Sequence, residues 1–167
     1  MGSEESRSIR ALGPMVRLAV QHDVPTLVDL IEAFHAEAGH PIDRDTAASA
    51  FSSLLQNPGL GAAWILLVDG KPAGYVVLTV CFAMESGGLT GFVDDLFVRR
   101  EHRQSGLGRA ALEAVFDECR RRNVRTLQVV VGEDNEKAVG LYTRCGFRLP
   151  ADGRRTLVAR VAGTPAP

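Results

Sequence analysis

The sequence predicts one mixed α/β (α+β) domain, and three features of the chain predict it. Two apolar runs, 62–68 and 73–80, flank Asp69-Gly70, a pair that favours a tight hairpin between antiparallel strands. A strand-like run, 89–98, passes through the glycine loop Arg103-Gln104-Ser105-Gly106-Leu107-Gly108 into an amphipathic stretch, 109–122. A second strand-then-helix step follows at 126–146. Hairpin-linked strands read as antiparallel neighbours, and the strand–helix–strand step as a parallel one, so the sheet is expected to be mixed.

Taken in order, residues 1–14 are polar and aperiodic and are expected to form a flexible extension, with Met15 a second candidate start. A strand begins within 16–20. Leu27, Leu30, Ile31 and Phe34 make a helical stripe over 24–36, broken by Gly39-His40-Pro41. Asp45 is placed to cap a second helix, 46–55, which Asn57-Pro58-Gly59 ends. Trp64 reads as a core residue of the first hairpin strand, and Ser86-Gly87-Gly88 as the turn into 89–98. The run 126–131 is a buried strand. Asn135 is a good N-cap, Ala138, Leu141, Tyr142 and Cys145 share one helical face, and Gly146 closes the helix. Short closing strands are expected at 147–149 and 156–161, joined through Asp152-Gly153, with 162–167 a tail. The domain therefore spans 15–161.

Composition excludes several classes. Of 167 residues, 46% are hydrophobic and 23% charged, and the net charge of −1 gives no electrostatic case for nucleic acid or an anionic membrane. No stretch approaches the roughly 18 apolar residues of a membrane span, and no secretory signal is visible. Cys81, Cys119 and Cys145 form neither a metal-spaced cluster nor an even set, and read as small core residues in a reduced, cytoplasmic protein. His22, His35, His40 and His102 have no metal-binding spacing, so no metal is expected. Arginine is unevenly placed: Arg99, Arg100, Arg103 and Arg109 flank the glycine loop, where they can face a polyanion, while Arg120, Arg121, Arg122 and Arg125 follow its helix.

The glycine loop carries the chemistry. Two glycines two residues apart allow a turn in which several N–H groups converge, and the next helix adds its unpaired N–H groups and positive dipole end. Such a place can hold phosphate, although a purely structural turn also favours glycine. Two familiar nucleotide loops fit poorly. Arg109-Ala110 stands where a Walker loop needs Lys-Ser/Thr, and the next strand lacks the acidic residue of a dinucleotide fold.

Val93-Asp94-Asp95-Leu96-Phe97-Val98, the Arg-x-x-Gly-x-Gly loop and the run from Asn135 to Phe147, taken together, resemble the GCN5-related N-acetyltransferase (GNAT) family. The segment around Asp94 is most similar to polyamine and related amine acetyltransferases. The resemblance implies a central mixed sheet that splays open between the strand before the glycine loop and the strand at Thr126. It also implies acetyl-CoA as co-substrate, with its pyrophosphate on the N–H groups of Gln104, Ser105, Gly106, Leu107, Gly108 and Arg109. Arg103 would act by charge and by shaping the turn. The edge of Leu96, Phe97 and Val98 would bond the pantetheine arm, with one N–H, that of Leu96, polarising the thioester carbonyl. Tyr142 would be the general acid for the departing thiolate, although spacing alone reads it as a packed aromatic. Asn135 would cap its helix and touch the cofactor. A homodimer is implied as well.

An acceptor amine arrives protonated, so a carboxylate is needed to take its proton, directly or through water. Relatives resembling this segment have an acid at the Asp94 position, typically glutamate. Aspartate is one methylene shorter, which points to a water relay. Strict alternation puts Asp94 and Asp95 on opposite faces, with Asp94 on the substrate side and Asp95 structural or helix-facing. Asp29, Glu32, Glu37, Asp43 and Asp45 make the first two helices acidic, with Arg44 the only basic residue among them. That region, Glu32 in particular, together with Gln128 beyond the split, is expected to receive a small cationic amine. A protein N-terminus or lysine as acceptor, or a module that only binds acyl-CoA, are the competing expectations.

Overall fold

The computed structural model describes residues 15–149, apart from Glu133. The expected extension at 1–14, the closing strand at 156–161 and the tail lie outside the described residues. The elements are β1 (Met15–Leu18), α1 (Val24–Ala38), α2 (Arg44–Gln56), β2 (Gly61–Val68), β3 (Lys71–Ala83), β4 (Gly88–Val98), α3 (Leu107–Arg121), β5 (Thr126–Val129) and α4 (Glu136–Arg144). The strands form one sheet in the order β1-β2-β3-β4-β5, antiparallel until the last pair, which is parallel.

Both faces of the sheet are covered, so β2 reads as an unbroken apolar run rather than an alternating one. Ala63, Ile65 and Leu67 turn to α1 and α2, where they meet Leu27, Leu30, Phe51, Tyr75 and Phe97. Ala62, Trp64 and Leu66 turn to α3 and α4, where they meet Val76, Leu78, Val93, Leu112, Val115 and Tyr142. Cys119 is buried here and Cys145 is partly covered, but Cys81 is exposed near the outer end of β3 and does not belong to the core.

Four boundaries differ from the sequence expectation. Asp43, not Asp45, caps α2: its Oδ2 accepts from the Thr46 N–H at 2.7 Å, and Asp45 falls in the first turn. Helix α3 starts at Leu107 because Gly106, in the left-handed region at φ 88°, serves as its N-cap, so the glycine loop supplies the first turn. Strand β5 stops at Val129. Residues 147–149 form no strand. Gly146 (φ 96°) donates to the Thr143 carbonyl and Phe147 to the Tyr142 carbonyl, both at 3.0 Å, which closes α4 in a Schellman turn and folds Phe147 back onto the helix.

Two irregularities of β4 open the sheet. The parallel ladder to β5 pairs Thr90–Val93 with Thr126–Val129 and then ends, although β4 runs on to Val98. On the other edge, Val77 pairs with Asp95 but Leu78 with Val93, so Asp94 is an extra, bulged residue. A bulge bends its strand and sharpens the local twist, which fits the loss of the fifth strand at that point.

Candidate active site

The bulge decides where two adjacent carboxylates go. Val93 and Leu96 are three residues apart yet both pack on the α3 side, so Asp94 and Asp95 share the step between them that one residue normally occupies. Strict alternation therefore fails here. Asp95, in line with Val77 and Phe97, lies on the α1–α2 side, while Asp94 is exposed. The Tyr75 hydroxyl donates to Asp95 Oδ2 at 3.0 Å. Burial pushes the Asp95 carboxyl above the usual carboxylate range. The Tyr75 hydrogen bond opposes this, the Asp94 charge adds to it, and His35 on α1 pulls it back. Burial, followed by the Asp95 charge, also pushes the Tyr75 phenol far up, so it stays a donor.

Beyond Val98 the chain makes one tight turn, 100–102, and enters the loop. Gln104 takes φ 63° and Gly106 φ 88°. Ser105 Oγ donates to the His102 carbonyl at 2.6 Å and steadies the turn. The first internal bond of α3 runs from the Ala110 N–H to the Gly106 carbonyl, 3.0 Å, which leaves the N–H groups of Leu107, Gly108 and Arg109 for another acceptor. The two glycines have different jobs. A Cβ on Gly106 would meet nothing within 4 Å, so that side of the loop is open. One on Gly108 would stand 3.0 Å from Leu141 Cδ2, so Gly108 lets α4 approach α3 closely.

Arg103 holds this corner together. Its Nε donates to the Val98 carbonyl at 2.8 Å and its Nη2 to Glu37 Oε2 at 2.5 Å, and its guanidinium lies 5.9 Å from the centre of the Phe97 ring. Phe97 in turn packs on Phe34 of α1, ring centres 5.5 Å apart. Turn-shaping is thus visible in the structure, and Glu37 already occupies part of the charge. Leu96 and Val98 point to the α3 core and Phe97 to the α1 core, leaving the backbone edge toward β5 without a strand partner.

On the other side of the split, Asn135 Oδ1 accepts from the Ala138 N–H at 3.1 Å and starts α4. Tyr142 is buried, with its ring edge-on to Phe147 at 5.3 Å. Burial pushes its phenol up to about 12, with Asp95 and Cys145 adding to the shift. Among the described residues its hydroxyl forms no hydrogen bond to a side chain or backbone group. Gln128 is exposed on β5, opposite Phe92.

The acidic first helices change meaning once folded. Arg44 Nη2 bonds Asp29 Oδ1 at 2.7 Å and Nη1 bonds Glu32, Arg103 takes Glu37, and Asp43 is spent on its cap. Glu32 lines a cavity of ≈ 340 Å³ with Ala36, Gly39, His40, Pro41 and Ile42, at the α1–α2 loop and not in the sheet split. The arginines after α3 are structural ties as well: Arg121 and Arg122 pair with buried Glu118, and Arg122 Nη2 bonds the Gly61 carbonyl at 3.1 Å. Among the described residues no group of three or more His, Cys, Asp or Glu is placed to hold a metal ion. No described helix is long and apolar enough to cross a membrane.

The profile of the Acetyltransferase (GNAT) family matches residues 26–147, from α1 through Phe147. The chain belongs to the GNAT acetyltransferase family. Every GNAT site residue considered above lies inside the matched segment. Among curated relatives, the bS18-alanine N-acetyltransferase of Escherichia coli strain K12 is 40% identical over 82 residues, 49% of this chain and 51% of that protein. The chain thus aligns with about half the length of these relatives, which are named as ribosomal-protein-alanine enzymes and not as the polyamine acetyltransferases expected from the segment around Asp94. An integron cassette protein from the Cole Harbour Salt Marsh metagenome shares the fold at TM-score 0.79 and 42% identity, over 90% of this chain and 91% of that one. A predicted acetyltransferase from Clostridium acetobutylicum, solved with acetyl-CoA, has the same GNAT fold at TM-score 0.73 and 16% identity, over 86% and 96% of the two chains.

Sequence reading gave Tyr75 and His35 no place in the site, and took Glu37 as part of an acidic acceptor region and not as the partner of Arg103. Tyr75 was hidden in an apolar run. His35 and Glu37 sit on a helix whose partners here, Asp95 and Arg103, lie 60 and 66 residues away. A basic loop with too few acidic partners nearby was the one available signal for Glu37.

Proposed function

We propose that this protein transfers the acetyl group of acetyl-CoA to a primary amine, by direct attack while both substrates are bound. The observation that carries this reading is one corner of the molecule. There the open, left-handed glycine loop at the start of α3 adjoins a β4 edge that its own bulge has freed from β5. The N–H groups of Gln104 through Arg109 would hold the pyrophosphate, and the edge of Leu96, Phe97 and Val98 the pantetheine amides. Acetyl-CoA supplies an activated thioester. The Leu96 N–H would face the carbonyl where negative charge develops. Arg103 would keep the loop in shape, and Asn135 would add an amide contact beside its cap.

Tyr142 would serve the departing sulfur. A thiol titrates near 8.5, so full transfer from a phenol near 12 runs uphill by about 5 kcal/mol. The strong contribution of Tyr142 is therefore a hydrogen bond to the sulfur as charge builds, which lets proton transfer follow. Asp94, exposed at the bulge, would meet the incoming ammonium and act on its proton through a water.

The acceptor we favour is the α-amine of a protein N-terminus. The curated relatives are named as alanine N-acetyltransferases of a ribosomal protein, and Asp29, Glu32 and Glu37 are engaged in ion pairs with Arg44 and Arg103. An α-amine also titrates near 7.7–8.0 against about 10.4 for an alkylammonium, so less work is needed to free it. A small cationic amine bound by Asp94 and Gln128 is the second reading, supported by the exposure of both side chains. Thiol release from acetyl-CoA, measured against N-terminal peptides, polyamines, diamines, aminoglycosides and amino acids, separates them. Saturable release with alanine- or serine-led peptides is the expected result. Saturation only with polyamines selects the second reading. Micromolar acetyl-CoA binding with no acceptor makes the protein a binding module.

A further inference from the structure

Asp95 has a setting that a merely structural aspartate does not need. It is partly buried, yet it forms no ion pair among the described residues. Among the described residues its one side-chain hydrogen bond comes from the fully buried Tyr75, a neutral donor. The bulge turns it toward α1 at the position where β5 leaves the sheet, so it borders the split that the proposed chemistry occupies. Four titratable groups bear on it from four elements: Tyr75 on β3, Asp94 on β4, His35 on α1 and Tyr142 on α4. A carboxylate held without a cation is a proton acceptor kept in reserve, because a guanidinium or ammonium partner would make it a poor base.

We propose that Asp95 is the final acceptor of the amine proton and that Tyr75 is the residue that positions its carboxylate. This rests on the acetyl-transfer reading. An N–H bond of the acceptor ammonium breaks and an O–H bond forms on Asp95, through Asp94 and water. The amine becomes neutral with a free lone pair, and the carboxylate charge is discharged in the same step. After acetyl transfer the proton returns to solvent by the same path. Asp94 thus receives the ammonium and hands its proton on, while Asp95 stores it. Burial helps Asp95 in this task, since a carboxyl above its usual range is the stronger base.

The test is the pH profile of kcat with a working acceptor, for the wild type, Asp95→Asn, Tyr75→Phe and Asp94→Asn. Asp95 must be ionised to accept a proton, so kcat should rise with pH through its pKa. Losing the Tyr75 hydroxyl removes a bond that favours the carboxylate, so Tyr75→Phe should move the acidic limb to higher pH while acetyl-CoA affinity stays within about twofold. Asp95→Asn should lower kcat at least 100-fold and abolish the limb, within the range general for acid–base groups. Asp94→Asn should raise the acceptor KM and slow kcat, because an amide cannot hand the proton on, but leave the limb in place. An unmoved limb in Tyr75→Phe overturns the proposal, even where Asp95→Asn does not fold. So does an Asp95→Asn enzyme within threefold of wild-type kcat. If the limb vanishes in Asp94→Asn instead, Asp94 is the terminal base. A wild type that transfers to no amine overturns the acetyl-transfer reading itself, and is thereby distinguishable from failure of Asp95 alone.

Discussion

At the scale of single residues, Tyr142 joins a buried ring to a hydroxyl with no hydrogen-bond partner among the described residues. Exchanging it for phenylalanine removes one oxygen and preserves the packing on Phe147. If the hydroxyl serves the departing sulfur, Tyr142→Phe should lower kcat by about 100-fold or more, while Kd for acetyl-CoA changes little. Stopped-flow thiol release and calorimetry give the two numbers, and near-normal turnover removes Tyr142 as the donor. Because its phenol titrates at about 12, Tyr142 itself should impose no alkaline limb between pH 7 and 10. An alkaline limb there would belong to another group.

Among the elements, the glycine loop with α3 and the bulged β4 form the working pair. Gly106 is in the left-handed region and its open side faces no protein atom. A valine there is strained by its β-branch and puts two methyl groups over the converging N–H groups. Gly106→Val should therefore weaken acetyl-CoA binding by more than tenfold in calorimetry, whereas Gly106→Ala should be milder. Equal binding by the valine variant would mean that the pyrophosphate does not sit on this loop. Gly74 plays a quieter part across the sheet. A Cβ there would lie 2.2 Å from the Phe97 carbonyl oxygen, so only glycine lets β3 hold the Leu96–Val98 stretch this closely.

For the whole molecule, two half-cores on opposite sheet faces are tied together at the edges. At one edge, buried Asp23 accepts from both Arg17 guanidinium nitrogens at 2.7 Å and from the Val20 N–H at 2.8 Å, fastening β1 to the start of α1. The Arg17 hydrogen bond, with the Val20 N–H helping, holds the Asp23 carboxyl below its usual range. Its contribution to stability is therefore fully present above the unfolded value of about 3.9 and is lost as pH falls through the lower folded value. Thermal melts should show Asp23→Asn less stable than the wild type at pH 7, with the gap narrowing below about pH 4. A gap independent of pH would show that charge is not what the aspartate supplies.

From β1 to α4 the sequence alone determined the order of the elements, the hairpin at Asp69-Gly70, the glycine loop, the Asn135 cap and the Gly146 terminator, but its strand at 147–149 does not form. Each is set by contacts within a few residues: hydrophobic period, cap chemistry and the permissive backbone of glycine. It also supplied the motif combination that the family match then established. Tertiary structure decided what depends on residues far apart in the chain. Cross-strand register placed the bulge at Asp94, which period-two counting cannot foresee, and left Asp95 facing α1, the helix-facing position expected for it. Ion pairing engaged three carboxylates of the first helix, because Arg44 and Arg103 reach residues 12, 15 and 66 positions away. Tyr75 became a polar partner only when β3 and β4 aligned its hydroxyl with Asp95. Local rules fix backbone and caps, but charge state and the aim of a side chain depend on which neighbours the fold brings within a few ångströms.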